Sequence, residues 1–379
     1  MSKVYCTAPF NGFTIREDGH VRTCCAGTVS IGSLNDSSIE DIQHSPILDQ
    51  IQQAMVNNTL HENCDICVQQ EKDTGLASLR QHYLKFYPGH KNLQLKNIDL
   101  RWNNSCNLGC MYCSPVFSST WADKLNVPVT SPVKKYQDGL LNFIIQHIDE
   151  IDELSLVGGE PMLMKQNYQL IAELPDSARI SILTNLSYDL ERLPCMENLL
   201  TRPRANTVWN ISCENVADQF EYVRTGAEWA QIETNLKFLS HHWHDNVAIN
   251  MVYSMFSAFD LVETIKQFHQ LGIKKFNFQT YYGPPAVDVF RMPPVVQLLA
   301  GQILDDAVKL HYENIHLEDR DFYPLANLDL IKTKLAQAQG NSCSKKEFYN
   351  QVAWYDKWSS SKFKDLWPHV IDLVELHLE

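Results

Sequence analysis

The sequence predicts an α/β fold of parallel strands joined by crossover helices, with a small α+β cysteine-rich module before it and a helical region after it. Two observations predict this. From about residue 93 to 285, strand patterns alternate with helical ones, the order that yields a parallel sheet. Eight of the eleven cysteines also crowd into the first 113 residues: Cys6, Cys24, Cys25, Cys64, Cys67, Cys106, Cys110 and Cys113. The other three, Cys195, Cys213 and Cys343, are scattered.

The module is expected over residues 1–75. FTIREDGHVRTC reads as a β-hairpin, with Phe13, Ile15 and Val21 flanking an Asp18-Gly19 turn. SSIEDIQHSPILDQIQQAM has helical spacing, with Ser38 as its cap. Residues 71–92 read as helical up to a turn at Pro88-Gly89, which makes 76–92 a linker helix. The core, 93–285, contains six strand candidates: LKNIDLRW, ELSLVGGEP, RISILTNLS, TVWNISCE, NVAINMVYSM and KKFNFQTY. Helical patterns such as LNFIIQHIDEI, ETNLKFLSHHW and LVETIKQFHQLG lie between them. Six strands suit an incomplete barrel or an open sheet, and polar residues and glycines gather at the C-terminal strand ends, where such folds place their sites. The last region, 286–379, includes Pro293-Pro294 near its start and reads as mostly helical and amphipathic, with aromatics in EFYNQVAWYDKW.

The chain has 32 basic and 45 acidic residues and a net charge of −13. That disfavours a broad, sequence-independent hold on nucleic acid, which needs clustered Lys and Arg, so no nucleic-acid partner is expected. No apolar run approaches the roughly 20 residues of a membrane span, and MSKVYCTAPF lacks the apolar stretch of a signal peptide. The expectation is a cytoplasmic protein with no membrane partner. In a reducing compartment its cysteines are metal ligands more readily than disulfides.

CNLGCMYC places Cys106, Cys110 and Cys113 in a C-x3-C-x2-C spacing directly after a strand. A zinc site held only by protein normally takes four ligands. Three thiols can instead hold three irons of a 4Fe–4S cluster and leave the fourth iron open to a small chelating molecule. Zinc, or three unrelated buried thiols, is the alternative at this point. One β-α unit later, Gly158-Gly159-Glu160-Pro161 ends the next strand. Its glycines let the backbone approach a ligand closely, and Glu160 with its neighbouring carbonyls can accept from an ammonium group.

These paired motifs resemble those of the radical S-adenosylmethionine (SAM) enzymes, over roughly 93–285. The resemblance implies a partial (β/α)6 TIM-like barrel and a cluster on Cys106, Cys110 and Cys113. SAM would chelate the open iron, be cleaved reductively to a 5′-deoxyadenosyl radical, and so abstract hydrogen from a substrate C–H bond. Tyr112 would cover one side of the cluster near the adenine, and Gly158, Gly159, Glu160 and Pro161 would hold the methionine amine. Asn185 in LTNL, Ser212 in NISCEN and Arg224 in YVRTG match positions near SAM, its ribose and its carboxylate. A reactive radical has to be shielded from water and other quenchers, which is the protein's part.

Cys6, Gly19 and Cys24 form C-x12-G-x4-C, and Cys64 with Cys67 forms C-x2-C. The hairpin turn would bring Cys24 back towards Cys6, and four thiolates suit zinc or a fully ligated 4Fe–4S cluster. The spacing resembles the SPASM auxiliary-cluster modules and their short form, twitch. With one C-x2-C, the single-cluster twitch form fits better. Such modules commonly follow the barrel, whereas this one precedes it. Neighbouring strand residues face opposite ways, so Cys24 is taken as the ligand and Cys25 as a buried thiol.

The expected function is therefore a radical SAM oxidoreductase or peptide-modifying enzyme with two 4Fe–4S clusters, the auxiliary one in electron transfer. A peptide or protein substrate ranks slightly ahead of small-molecule dehydrogenation or epimerisation. An electron donor such as flavodoxin or ferredoxin is the implied partner. Cys213 is a candidate hydrogen donor, against its default as a buried structural cysteine. Cys343, in GNSCSKK, reads as a surface thiol, and Tyr281 and Tyr282 as residues lining the substrate opening. HHWH at 241–244 takes no ligand role, because adjacent helix positions do not share a face. The reading of another class is a zinc-stabilised binding protein without catalysis.

Overall fold

Alternating apolar residues make the strands of this chain. Its computed structural model describes residues 4–87, 93–129, 134–281, 283–323, 325–337 and 343–378. Among them, twelve strands run in order: β1 (Gly12–Ile15), β2 (His20–Arg22), β3 (Gly32–Ser33), β4 (Asn97–Leu100), β5 (Gly109–Cys110), β6 (Glu153–Leu156), β7 (Arg179–Thr184), β8 (Thr207–Ser212), β9 (Arg224–Thr225), β10 (Val247–Tyr253), β11 (Lys275–Thr280) and β12 (Leu325–Ala326). The fold is mixed α/β, and all six strands expected in the core are present. No helix among the described residues is long and apolar enough to cross a membrane.

The chain divides into two units. The first comprises Met1–Asn107, Ser114–Thr184 and Arg192–Val208. Its strands are ordered β7-β6-β4-β1-β2-β3, parallel from β7 to β1 and antiparallel thereafter. Ile98, Leu100, Leu154, Leu156, Ile180 and Ile182 bury one face of the parallel strands. The other face carries a polar row, Thr14–Asp99–Ser155–Ser181, in register. At its edge Arg101 lies 3.0 Å from Asp99 and 3.7 Å from Glu17.

The expected hairpin is present, with Gly19 in the left-handed region at φ 86°. It does more than fold on itself: β1 continues the parallel sheet, pairing with β4 from Gly12–Asn97 to Ile15–Leu100. A Cβ on Gly12 would sit 1.6 Å from the Asn97 carbonyl oxygen, so only glycine admits this pairing. Ser38 caps its helix through a capping box, as expected. The single helix read over 37–55 is two, Ile39–Ile42 and Pro46–Val56, because Pro46 lacks an N–H and Ser45 caps a new start. Likewise the helical run expected from residue 71 is broken: Gly75 ends Asp65–Thr74 in the left-handed conformation, and Leu79–Phe86 follows. The Pro88-Gly89 turn lies outside the described residues. Tyr83 and Tyr87, from that second helix and its end, pack on Cys6, Ala8, Phe10 and Met55.

The second unit comprises Leu108–Cys113, Asn185–Glu191 and Trp209–Glu379. Its parallel strands are ordered β8-β10-β11-β12, beside a short antiparallel ribbon of β5 and β9. The region expected to be mostly helical also donates a short strand, β12, which pairs with β11. Two residues are too short for a periodicity signal. Helix Pro294–Glu313 begins at the predicted proline pair. The C-terminal helices close on the core through aromatics: Phe363 and Trp367 stack with ring centres 4.9 Å apart, and Phe256 meets both edge-on.

Candidate functional site

In the first unit, the loop leaving β4 leads to Cys106. Trp102 is buried and donates from Nε1 to Asn167 Oδ1 at 2.7 Å, which anchors the loop's start. The helix Ser119–Leu125 holds its other end. Ser119 Oγ accepts from the Cys106 N–H at 3.1 Å, and Thr120 Oγ1 donates to the Cys106 carbonyl at 2.7 Å. The Gly158–Pro161 segment seats directly on this loop. Glu160 N–H donates to Ser105 O at 2.9 Å. Gly158 has φ 115°, and a Cβ on Gly159 would fall 2.3 Å from Ser105 O. The two glycines therefore exist to let two backbone segments touch. Glu160 is fully buried; its Oε1 accepts from Met162 N–H at 3.1 Å and Thr184 Oγ1 at 2.8 Å. Its carboxylate thus fixes the turn at Pro161 and the end of β7.

In the second unit, β5 pairs with β9 so that Cys110 lies opposite Arg224. Arg224 is buried, held to Glu214 by two hydrogen bonds of 2.7 and 2.9 Å, and its Nη1 lies 3.5 Å from Cys110 Sγ. It is therefore not the surface helix arginine that its local sequence allows. Burial pushes the Cys110 thiol up in pKa, and the Arg224 charge opposes this. Met111 N–H donates to Val223 O at 2.8 Å, and Cys113 N–H to Cys110 O at 3.0 Å, which turns the loop tightly. Tyr112 meets Phe256 and Tyr281 edge-on, at 5.8 and 5.6 Å, and its hydroxyl lies 3.1 Å from Ser254 Oγ. Tyr282 is outside the described residues. Asn185 Oδ1 accepts from Ser187 N–H and Oγ, and Ser212 ends β8 half-buried. Cys213 is fully buried and donates to Asn215 O at 3.2 Å.

A cavity of roughly 770 Å³ lies in this unit. Its wall includes Met111, Cys113, Pro285, Cys343, Gln351 and Trp354, half of it from the helix Lys345–Tyr355 and the residue Cys343 just before it. Cys343 is the correction here: it is buried, not a surface thiol. Its N–H donates to Arg291 O, which draws an otherwise polar stretch inward. Burial and the nearby Glu347 push its pKa up to about 11.

In the first unit, Cys6, Cys24, Cys64 and Cys67 line one cavity with Ala8, Pro9, Leu79 and Tyr83. Among the described residues no trio of His, Cys, Asp or Glu side chains converges on a single-ion position. The four thiols stand instead around a shared apolar space. Cys25 does not line it and is exposed, not buried as expected: β2 ends at Arg22, so Cys24 and Cys25 lie in the turn beyond it and not on a strand. Two N–H groups point at the sulfurs: Ala8 N to Cys6 Sγ at 3.5 Å, and Asn63 Nδ2 to Cys64 Sγ at 3.8 Å. Burial pushes Cys6 up to about 12, opposed first by the Ala8 N–H and then by the Arg80 charge.

Residues 6–68 match SPASM, an iron-sulfur cluster-binding domain. The SPASM-like segment thus covers all four thiols of this cavity. No curated protein matches the chain. Similar solved structures include anSMEcpe with bound AdoMet and Kp18Cys peptide, 16% identical over 58% of this chain and 60% of that one, TM-score 0.41. Others are SuiB of Streptococcus suis bound to S-adenosylmethionine, 15% identical over 65% and 53%, TM-score 0.37, and TYW1 with a lysine-pyruvate adduct, 12% identical over 63% and 80%, TM-score 0.35. The chain thus spans 60% of the length of anSMEcpe.

Sequence reasoning missed Glu214, Asn63 and Arg80. Glu214 stood beside Cys213 at a strand end, which was signal enough to weigh it. Nothing in the local pattern distinguishes Arg80 from a solvent-facing helix arginine.

Proposed function

We propose that this chain is a radical SAM enzyme that modifies a peptide or protein. One observation carries the reading: the Glu160 N–H to Ser105 O bond, which joins the GGEP turn to the residue before Cys106. Segments far apart in sequence are thereby in contact, the GGEP turn against the residue that precedes the cysteine loop. The parallel strand order within each unit supports a partial (β/α)6 barrel around them.

Cys106, Cys110 and Cys113 would hold a 4Fe–4S cluster, a fit supported by the charge-bearing Arg224 beside Cys110. Bound there with SAM, it supplies a 5′-deoxyadenosyl radical that removes hydrogen from a substrate C–H bond. The Gly158–Gly159 backbone would receive the methionine part of SAM, and Tyr112 with Phe256 and Tyr281 would pack near its adenine. The cavity beside Cys113 would take the substrate, its wall keeping water from the reacting atoms. At about 770 Å³ it suits a side chain with its flanking residues. Cys6, Cys24, Cys64 and Cys67 fit a fully ligated auxiliary cluster, which leaves electron transfer as its role. Flavodoxin or ferredoxin would supply the first electron.

The test is direct. Anaerobically reconstituted protein, given SAM and dithionite, should be brown and release 5′-deoxyadenosine and methionine. A colourless protein containing zinc and no deoxyadenosine would sink the proposal in favour of a binding role.

A further inference from the structure

We propose that Arg80 is a positioning residue that sets the reduction potential of the auxiliary cluster, holding it high enough to accept an electron. The inference rests on the reading of Cys6, Cys24, Cys64 and Cys67 as that cluster's ligands.

Arg80 is the second residue of Leu79–Phe86, a helix whose start Ser78 caps by accepting from the Arg80 N–H at 3.2 Å. Its guanidinium does not reach solvent: the side chain is 8% exposed. It lines the same cavity as the four thiols and, among the described residues, is the one cation that does so. Nη1 donates to Tyr5 O at 3.1 Å, one residue before Cys6, so the group also anchors the chain that carries the first ligand. Nε donates to Glu71 Oε1 at 3.1 Å, and Nη2 pairs with Glu71 Oε2. Ser78 Oγ donates to the same carboxylate at 2.5 Å. The fork is therefore fixed in place.

The electrostatics follow from charge. A 4Fe–4S core of charge +2 with four thiolates carries net −2, and taking up one electron makes it −3. Net charge and hydrogen bonds at the sulfurs set such a potential. A fixed cation beside the cage favours the more negative state, and the apolar wall of Ala8, Pro9, Leu79 and Tyr83 keeps water from screening it. Glu71 opposes this effect but does not line the cavity, and at 21% exposure it is screened more than Arg80. The balance is a raised potential.

The experiment is an EPR-monitored titration with dithionite on the full chain, in a Cys106→Ala, Cys110→Ala, Cys113→Ala background that leaves the auxiliary signal alone. Arg80→Gln should lower the midpoint, Arg80→Lys should stay near the parent, and Glu71→Gln should raise it. Opposite signs at two residues of one ion pair are what a merely structural role does not produce. Should Arg80→Gln lose its iron, the rise with Glu71→Gln still decides. Unchanged midpoints, or shifts of the same sign, overturn the role of Arg80 with the cluster intact. Absence of iron from the parent background overturns the four-thiol reading itself, and the inference with it.

Discussion

Arg224 stands opposite Cys110 in a two-strand ribbon, its Nη1 3.5 Å from the thiol sulfur and its other nitrogens locked on Glu214. The two residues are 114 positions apart. Burying an ion pair beside a candidate cluster ligand makes the cation a fixture, not a passing contact. Removing one partner leaves the other charged and unpaired in the interior. Arg224→Gln should therefore cost roughly 3–5 kcal/mol, and adding Glu214→Gln should recover a large part of it. Urea unfolding of the two single variants and the double variant measures the coupling; strictly additive losses would refute the pairing.

Seven of the thiols are proposed to serve two clusters. Protein reconstituted under anaerobic conditions should bind about eight irons if both sites hold 4Fe–4S clusters. Replacing Cys106, Cys110 and Cys113 by alanine should leave about four and abolish deoxyadenosine formation. Replacing Cys64 and Cys67 should also remove about four, yet leave SAM cleavage measurable. Iron and sulfide analysis beside a deoxyadenosine assay reads both, and unchanged iron in either variant contradicts its assignment.

Gly159→Ala tests the seat of the GGEP turn. Its Cβ would press on the backbone of Asn104 and Ser105, which cannot yield as a side chain tip can. We expect a loss of roughly 1–3 kcal/mol and SAM affinity at least about tenfold weaker, equivalent to ~1.4 kcal/mol. Anaerobic equilibrium dialysis with SAM would show unaltered affinity if the turn played no part.

The pair His269–His311 predicts acid sensitivity. His311 Nε2 lies 3.0 Å from Tyr323 O, and its Nδ1 lies 3.0 Å from His269 Nε2. Burial holds His311 below the usual imidazole value; its Nε2–H donates to the carbonyl, which leaves Nδ1 to accept from His269 Nε2–H. Burial, then His311, depress His269 to about 4. A histidine held below its unfolded value of about 6.5 binds fewer protons folded than unfolded. Stability is then complete above pH 6.5 and declines as pH falls towards 4. His269 is only half-buried, so the loss is on the order of 1–2 kcal/mol. Urea midpoints at pH 7 and pH 5 should differ for the parent and differ less for His269→Gln.

Local pattern carried much of this molecule. Strand periodicity located all six core strands, since a side-chain period of two is visible within four residues. The hairpin turn and the Ser38 cap were legible for the same reason. The candidate ligand sets within one loop, Cys106–Cys113 and Cys64–Cys67, are proposals that spacing alone suggests. At Pro46 and Gly75 a single residue overrides helical spacing, because one lacks an N–H and the other adopts the left-handed conformation.

Spacing could not supply the partners that packing brings from afar. The addition of β1 to β4, the burial of Cys343 against the cavity, and the approach of Arg80 to Cys6 and of Arg224 to Cys110 all join segments distant in sequence. A buried arginine and an exposed one have the same local sequence. Only the closed structure, in which each buried charge must find its opposite, decides between them.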